Sequence, residues 1–268
     1  MTEALAEGKL LLDRPADAVA RLTISNLDRR NALDHDILRA LADILPTLAE
    51  GIATRCVLIT ARGDVFSAGY DIAGIAPGRF ETEAEALVAH PFHAAMEAVS
   101  AHPYPVVAAI NGHCLGGGLE LAIRCDLRIC AAAAKLGMPP AKLGLIYGHT
   151  GLERFIEVVG VARTKELFLL GRNLDADAAL RIGLINEVVP SGELERAALE
   201  LATEIAENAP ISMKGNKRAI ETLARNPALS AEQEAELVEL RRSCFRSEDF
   251  REGIRAFAEK RKPRWTGR

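Results

Sequence analysis

Along the first half of the chain the apolar positions alternate between two periods. In "KLLLDRP" (9–15) and "AVARLTISN" (18–26) they form short strand-like runs around a Pro-Ala-Asp turn. In "DHDILRALADILPTLAE" (34–50) they recur at helical spacing behind Asp34, a residue type that caps helix N-termini. The unit is strand, strand, helix. A second unit opens on "TRCVLITARG" (54–63), a buried-type strand, passes through a glycine-rich loop to "DIAGIAPGRF" (71–80), and predicts a helix over about 81–101. A third opens on the strand "PYPVVAAINGH" (103–113), turns through glycines into a helix from about 117, and returns as the strand "DLRICAAAAKLGM" (126–138). Fully apolar strands alternating with helices predict an α/β architecture whose strand-end loops carry the chemistry.

After about residue 150 the strand pattern fades. "GLERFIEVVG", "VARTKELFLLG", "DADAALRIG" and three longer segments beyond 193 read as helices, with Gly160, Gly171 and Gly183 where helix ends need a positive φ. "SEDFREGIRAFAEKRKPRW" gives the last helix a serine cap at Ser247, acidic residues in its first turn, basic residues in its last, and Pro263 as a stop. The pattern divides the chain into a core over 1–192 and a helical region over 193–268. A length of 268 residues suits one large core with a smaller appended region.

Composition narrows the function classes. With 49% hydrophobic and 26% charged residues the chain reads as an ordinary soluble globular protein. No apolar run approaches the roughly 18 residues that span a membrane, and "MTEALAEGKL" carries two glutamates where a signal or transit peptide would be basic, so a cytoplasmic location is expected. A net charge of -4 counts against a nucleic-acid surface. The cysteines at 56, 114, 125, 130 and 244 have no C-x-x-C spacing and an odd count, which fits a reducing compartment and small buried hydrophobes; no metal site is expected.

Chemistry concentrates in "NGHCLGGGLELAIRCD" (111–126). Three glycines before a helix form either a tight strand-to-helix turn or a cradle that lets a ligand approach free backbone N–H groups, where the helix dipole favours negative charge. The run matches neither G-x-G-x-x-G nor a P-loop. A second loop, "FSAGYDI" (66–72), follows the strand "CVLIT", and two such loops can converge on one oxygen as an oxyanion hole. Glu120 lies three residues beyond Gly117, on the same helix face. It either pairs with Arg124 at i+4 as an ordinary surface salt bridge or, among Leu119, Leu121, Ala122 and Ile123, sits desolvated as an acid or base.

These residues bring in a family. "RRNALD", "VFSAGYDI", "AAINGHCLGGGLELAIRCDLRIC", "PAKLGL", "RIGLINEVVP" and "EGIRAFAEKRKP" resemble, in order and approximate spacing over essentially the whole chain, the crotonase (enoyl-CoA hydratase/isomerase) superfamily. The resemblance implies a crotonase-like spiral of ββα units with a C-terminal helical trimerisation region, assembled as a homotrimer or a hexamer of paired trimers. It implies an acyl-CoA substrate and no cofactor apart from the coenzyme A of the thioester. The N–H groups of Tyr70 and Gly117 would hold the thioester oxygen. Ala68, Asp71 and Ile72 would line the adenine and pantetheine path, and Arg30 would meet a CoA phosphate. Phe257 and Lys260 match residues that often reach the CoA of a neighbouring subunit. For Arg30 and Lys260, plain solvation is the competing reading.

The chain departs from the family where hydratases have a second glutamate, which here is Pro140 in "MPPAKLG". Hydration by a carboxylate pair is weakened, and so is simple isomerisation. "FSAGYDI" with "PAKLGLIYG" is similar to the methylmalonyl-CoA decarboxylase branch, in which residues matching Tyr70 and Tyr147 surround the departing carboxylate; that branch has histidine at the Tyr70 position. Tyr147 is otherwise a packing residue. His149, at the start of a helix, is a candidate proton donor or polar contact, whereas His113 is expected to pack below the glycine loop. Three readings follow: an enoyl-CoA hydratase/isomerase-type enzyme with Glu120 as acid/base; a malonyl-type acyl-CoA decarboxylase or thioester hydrolase; and a non-catalytic CoA- or RNA-binding relative with "EKRKPRW" as its surface.

Overall fold

The computed structural model describes residues 2–71, 91–144, 146–226 and 228–268. Strands β1 (Glu3–Leu5), β2 (Leu10–Ala16) and β3 (Val19–Ile24) form an antiparallel run at one end of a seven-stranded sheet. From β3 onward the sheet is parallel, continuing through β4 (Cys56–Ala61), β6 (Val106–Ile110), β8 (Leu127–Ala131) and β11 (Glu187–Val189). A smaller sheet has the order β10-β9-β7-β5, from β5 (Val65–Ser67), β7 (His113–Leu115), β9 (Lys135–Gly137) and β10 (Leu174–Asp175). After the first unit, whose strands all lie in the large sheet, three successive turns of the chain (β4 and β5, β6 and β7, β8 and β9) each give one strand to the large sheet and the next to the small one. This is the expected spiral.

Helix α1 (His35–Leu48) starts where the sequence indicates, because the Asp34 carboxylate accepts from the N–H groups of Asp36 and Ile37 at 3.1 and 3.0 Å. Its apolar face, Ile37, Leu38, Leu41, Leu45 and Leu48, is buried. Helix α2 (His93–Ser100) falls within the helix expected over 81–101, of which residues 81–90 lie outside the described residues. Helix α3 (Gly117–Arg124) starts within the triple glycine, capped by Gly116, α4 (Pro140–Leu143) is a single turn, and α5 (His149–Lys165) leads into a π turn over Glu166–Leu170 and the short α6 (Ala176–Arg181). One core fills the space between the sheets and α1 to α3. The opposite face of the large sheet packs on α7 (Leu194–Ala206), whose Leu194, Ala198, Ala202 and Ala206 form a four-residue stripe small enough for close approach. Helices α8 (Pro210–Arg225), α9 (Ala231–Arg246) and α10 (Glu248–Glu259) complete the chain, so four helices follow residue 193 where three segments are expected.

Several expectations are corrected. "DLRICAAAAKLGM" is two strands in different sheets, because the chain turns at Ala131–Ala134. Strands persist beyond residue 150 as β10 and β11, too short to show a period. Gly160, Gly171 and Gly183 do take φ of 76°, 58° and 76°. The last helix ends at Lys260, which adopts φ 52°, so the basic run follows the helix instead of filling its last turn, and Pro263 comes after the stop. The cysteines are unpaired; four are buried and Cys244 is half-buried. Among the described residues no helix is long and apolar enough to cross a membrane.

Candidate active site

The two glycine loops meet. Gly69, at φ 102°, lies so close to the second loop that an added Cβ would stand 3.1 Å from the Leu115 carbonyl oxygen and 3.3 Å from the Gly117 nitrogen. Only glycine suits both the conformation and the approach. A parallel bridge from Leu33 to Tyr70, with Leu33 N–H donating to Gly69 O and Asp71 N–H to Leu33 O, pins the first loop and turns the Tyr70 N–H away from it. Gly117 is the first residue of α3, where the N–H has no partner within the helix. Among the described residues neither the Tyr70 nor the Gly117 N–H makes a hydrogen bond. The Tyr70 ring lies over Gly117, about 3.2 Å from where a Cβ would be, and packs edge-on against Phe92 at 4.4 Å between centroids.

Glu120 stands one turn into α3 with 4% of its side chain exposed. The i+4 pair with Arg124 forms, at 3.0 Å, but as a buried pair instead of a surface one, with the arginine side chain 10% exposed. The same Arg124 nitrogen donates to Thr150 O at 3.0 Å, tying α3 to the start of α5, while its Nε is buried without a partner. The other carboxylate oxygen accepts a 2.6 Å hydrogen bond from the Tyr147 hydroxyl. That hydroxyl is 3.3 Å from the Tyr70 hydroxyl. Burial, reinforced by the negative charge of Glu120, pushes both phenols up from their ordinary value, so both are neutral proton carriers near pH 7.

Gly151 makes this arrangement possible. An added Cβ there would lie 2.6 Å from Tyr147 Cε1 and 2.7 Å from Glu120 Oε2, so the first turn of α5 seats against the carboxylate only because residue 151 has no side chain. Tyr147 is held from behind by Phe168 at 5.5 Å between ring centroids, and Phe168 in turn by Phe155 at 5.0 Å.

Other expected residues fall elsewhere. Pro140 is the buried first residue of α4. His149 opens α5 but is exposed and hydrogen-bonds to nothing among the described residues; His113 is exposed instead of packed below the loop. Ala68 is exposed, its N–H bound to Arg30 O at 3.1 Å, and Arg30 is an exposed residue at φ 51°, so the two are neighbours beside the loop. Asp71 pairs with Arg29 at 3.4 Å. Ile72 lies outside the described residues. Phe257, 88% exposed, and Lys260 sit at the end of α10, with no described contact to Glu120. No group of three or more His, Cys, Asp or Glu among the described residues is arranged to hold a metal. Sequence reasoning missed the closure by Gly151 and the anchoring of Arg124; the glycine in "YGHTG" and the i+4 spacing were the available signals.

Comparison with known proteins finds relatives over nearly the whole chain. The profile of the enoyl-CoA hydratase/isomerase family matches residues 14–268. The chain is 35% identical over 249 residues to a short-chain-enoyl-CoA hydratase of Clostridium acetobutylicum, covering 91% of this chain and 92% of that one. Among solved structures it is similar to an enoyl-CoA hydratase from Bacillus anthracis, with TM-score 0.86, 34% identity and coverage of 97% and 100% of the two chains. A structure described as an enoyl-CoA hydratase/carnithine racemase from Magnetospirillum magneticum gives TM-score 0.87 at 32% identity, covering 97% of this chain and 96% of that one.

Proposed function

The chain belongs to the enoyl-CoA hydratase/isomerase family, and from that premise we propose that it binds an acyl-CoA thioester, holds the developing enolate oxygen on the N–H groups of Tyr70 and Gly117, and uses Glu120 as the acid/base. The observation that carries this reading is the junction of the two loops: two unused N–H groups, brought together by Gly69, stand one helical turn from a buried carboxylate. Arg30, Ala68 and Asp71 lie beside the same loop and suit the CoA path. No cofactor beyond the substrate's own CoA enters the proposal. Exposed Phe245, Ile254 and Phe257 on the C-terminal helices support a self-associating region over 193–268, read as a trimer or paired trimers, with Phe257 and Lys260 offered to a neighbouring subunit. A cytoplasmic location is part of the same proposal.

The test is turnover of a thioester panel of crotonyl-CoA and longer enoyl-CoAs by the wild type and Glu120→Gln. A loss of about 100-fold or more in kcat is expected for the variant, the scale of a missing general acid/base; unchanged turnover of every accepted thioester contradicts the role. A second reading has its own observation: at position 140 proline stands where a second carboxylate would pair with Glu120, while two neutral phenols flank the acyl position. This favours loss of CO2 from a malonyl-type CoA over addition of water, since the enolate needs only the oxyanion hole and one proton. Incubation with methylmalonyl-CoA, followed by mass, decides it: a product lighter by CO2 supports this branch, and an intact substrate removes it.

A further inference from the structure

Hydrogen-bond direction around Glu120 is fixed by proton counting. A carboxylate only accepts, and here both oxygens are engaged: Oε1 by Arg124 Nη2 at 3.0 Å and Oε2 by the Tyr147 hydroxyl at 2.6 Å. Tyr147 has one proton, spent on Glu120, so toward Tyr70 its oxygen can only accept. Tyr70 then spends its own proton on Tyr147, and its oxygen faces whatever it meets with lone pairs alone. When Glu120 carries a proton the chain reverses, and Tyr70 presents O–H. The protonation state of a carboxylate with 4% exposure is thus read out at a phenol on the first glycine loop.

Resting on the thioester-enolate reading above, we propose that Tyr70, Tyr147 and Glu120 form a proton relay, in which the Tyr70 hydroxyl is the group that exchanges a proton with the acyl carbon and Arg124 is a positioning residue that fixes the carboxylate. In the forward direction the C–H bond at the α-carbon breaks, and its electron pair passes into the thioester to give the enolate. The proton bonds to Tyr70 oxygen as the Tyr70 proton moves to Tyr147 and the Tyr147 proton to Glu120 Oε2. Three O–H bonds form, one C–H and two O–H bonds break, and the negative charge passes from Glu120 to the enolate oxygen. Return of the proton by the reverse steps, at the same or a conjugated carbon, restores the carboxylate. No second carboxylate is required, which accounts for a working site with proline at 140. The Tyr70 ring lies against Gly117, so the end of the relay stands beside the second N–H of the hole.

The probe is butyryl-CoA in D2O, with deuterium entry at the α-carbon followed by mass spectrometry and binding measured separately by calorimetry. Both Tyr147→Phe and Tyr70→Phe keep their rings, and so the packing on Phe168 and Phe92. Each is expected to lower the exchange rate by about 100-fold or more with butyryl-CoA affinity kept within threefold, and the double variant is expected to be no slower than either single one. Across H2O/D2O mixtures the wild-type rate should follow a bowed curve, because several protons move together; a straight line overturns the relay. Exchange within threefold of wild type in either variant, or single losses that multiply in the double one, overturns it too. If the wild type binds butyryl-CoA and exchanges no α-proton, the thioester-enolate reading itself fails and the relay with it; if wild type exchanges and the variants keep pace, only the relay fails.

Discussion

Replacing Gly151 by alanine changes no functional group, yet it should disable the site. A Cβ at this position would stand 2.6 Å from Tyr147 Cε1 and 2.7 Å from Glu120 Oε2, where carbon contacts normally settle near 3.5 Å or beyond. The Cβ meets both atoms, so Tyr147 must withdraw by about 0.9 Å and Glu120 by a similar amount, each in its own direction. A 2.6 Å hydrogen bond moved by that distance reaches about 3.5 Å, the limit at which it ceases to be one. Overpacking of this kind costs about 1–3 kcal/mol, partly offset by the roughly 1 kcal/mol that alanine gains over glycine in a helix. The net effect on stability is small, whereas a 1 Å misplacement at a reacting group lowers rate by about 100-fold. The assay is α-proton exchange of butyryl-CoA in D2O beside a thermal melt and a binding isotherm. Expected are a destabilisation of about 2 kcal/mol or less, equivalent to a Tm shift of at most about 8 °C, binding within threefold, and exchange reduced by about 100-fold. Exchange within threefold of wild type would refute the reasoning that the seating of α5 on Glu120 positions the proton path.

Two more outcomes follow from particular positions. Gly69→Ala places a side chain at φ 102° against Leu115 O and the Gly117 nitrogen, so it should cost about 1–3 kcal/mol in a denaturant melt and abolish exchange, whereas Gly192→Ala, with open space around it, should change neither. Burial, reinforced by the charge of Lys217 and opposed by the Leu45 backbone, pushes the His102 imidazole down to about 4 from its ordinary 6.5. Because the fold favours the neutral ring, this contribution is fully present above about pH 6.5 and is lost as pH falls toward 4, worth about 3 kcal/mol across that window. Melts of wild type and His102→Leu over pH 4–7 should therefore diverge in slope below 6.5, and parallel curves would contradict the assignment.

The elements with strong local patterns were legible. Asp34 with the apolar stripe of α1 announces a helix start, and β4 and β6 are apolar runs bounded by turn residues, so period and capping suffice. The pieces missed are those whose stability comes from elsewhere. Strand β11 has three residues and exists because β8 offers it a parallel edge, and the break between β8 and β9 is set by two sheets competing for one apolar run. At the site, the glycine loops and Glu120 were readable because each has a local reason: φ 102° at Gly69, a free N–H at the first turn of α3, a carboxylate among apolar neighbours. The Glu120–Tyr147–Tyr70 chain was not, because it joins residues 27 and 77 positions apart through the seating of α5, which local patterning does not encode.

The measurement that bears most directly on the account is deuterium entry into the α-carbon of butyryl-CoA catalysed by the wild-type protein, with Glu120→Gln alongside. A thioester enolate held by Tyr70 and Gly117 and served by Glu120 predicts exchange by the wild type and a loss of about 100-fold or more in the variant at unchanged affinity. Binding of butyryl-CoA without exchange by the wild type, or exchange at the same rate in Glu120→Gln, would contradict it.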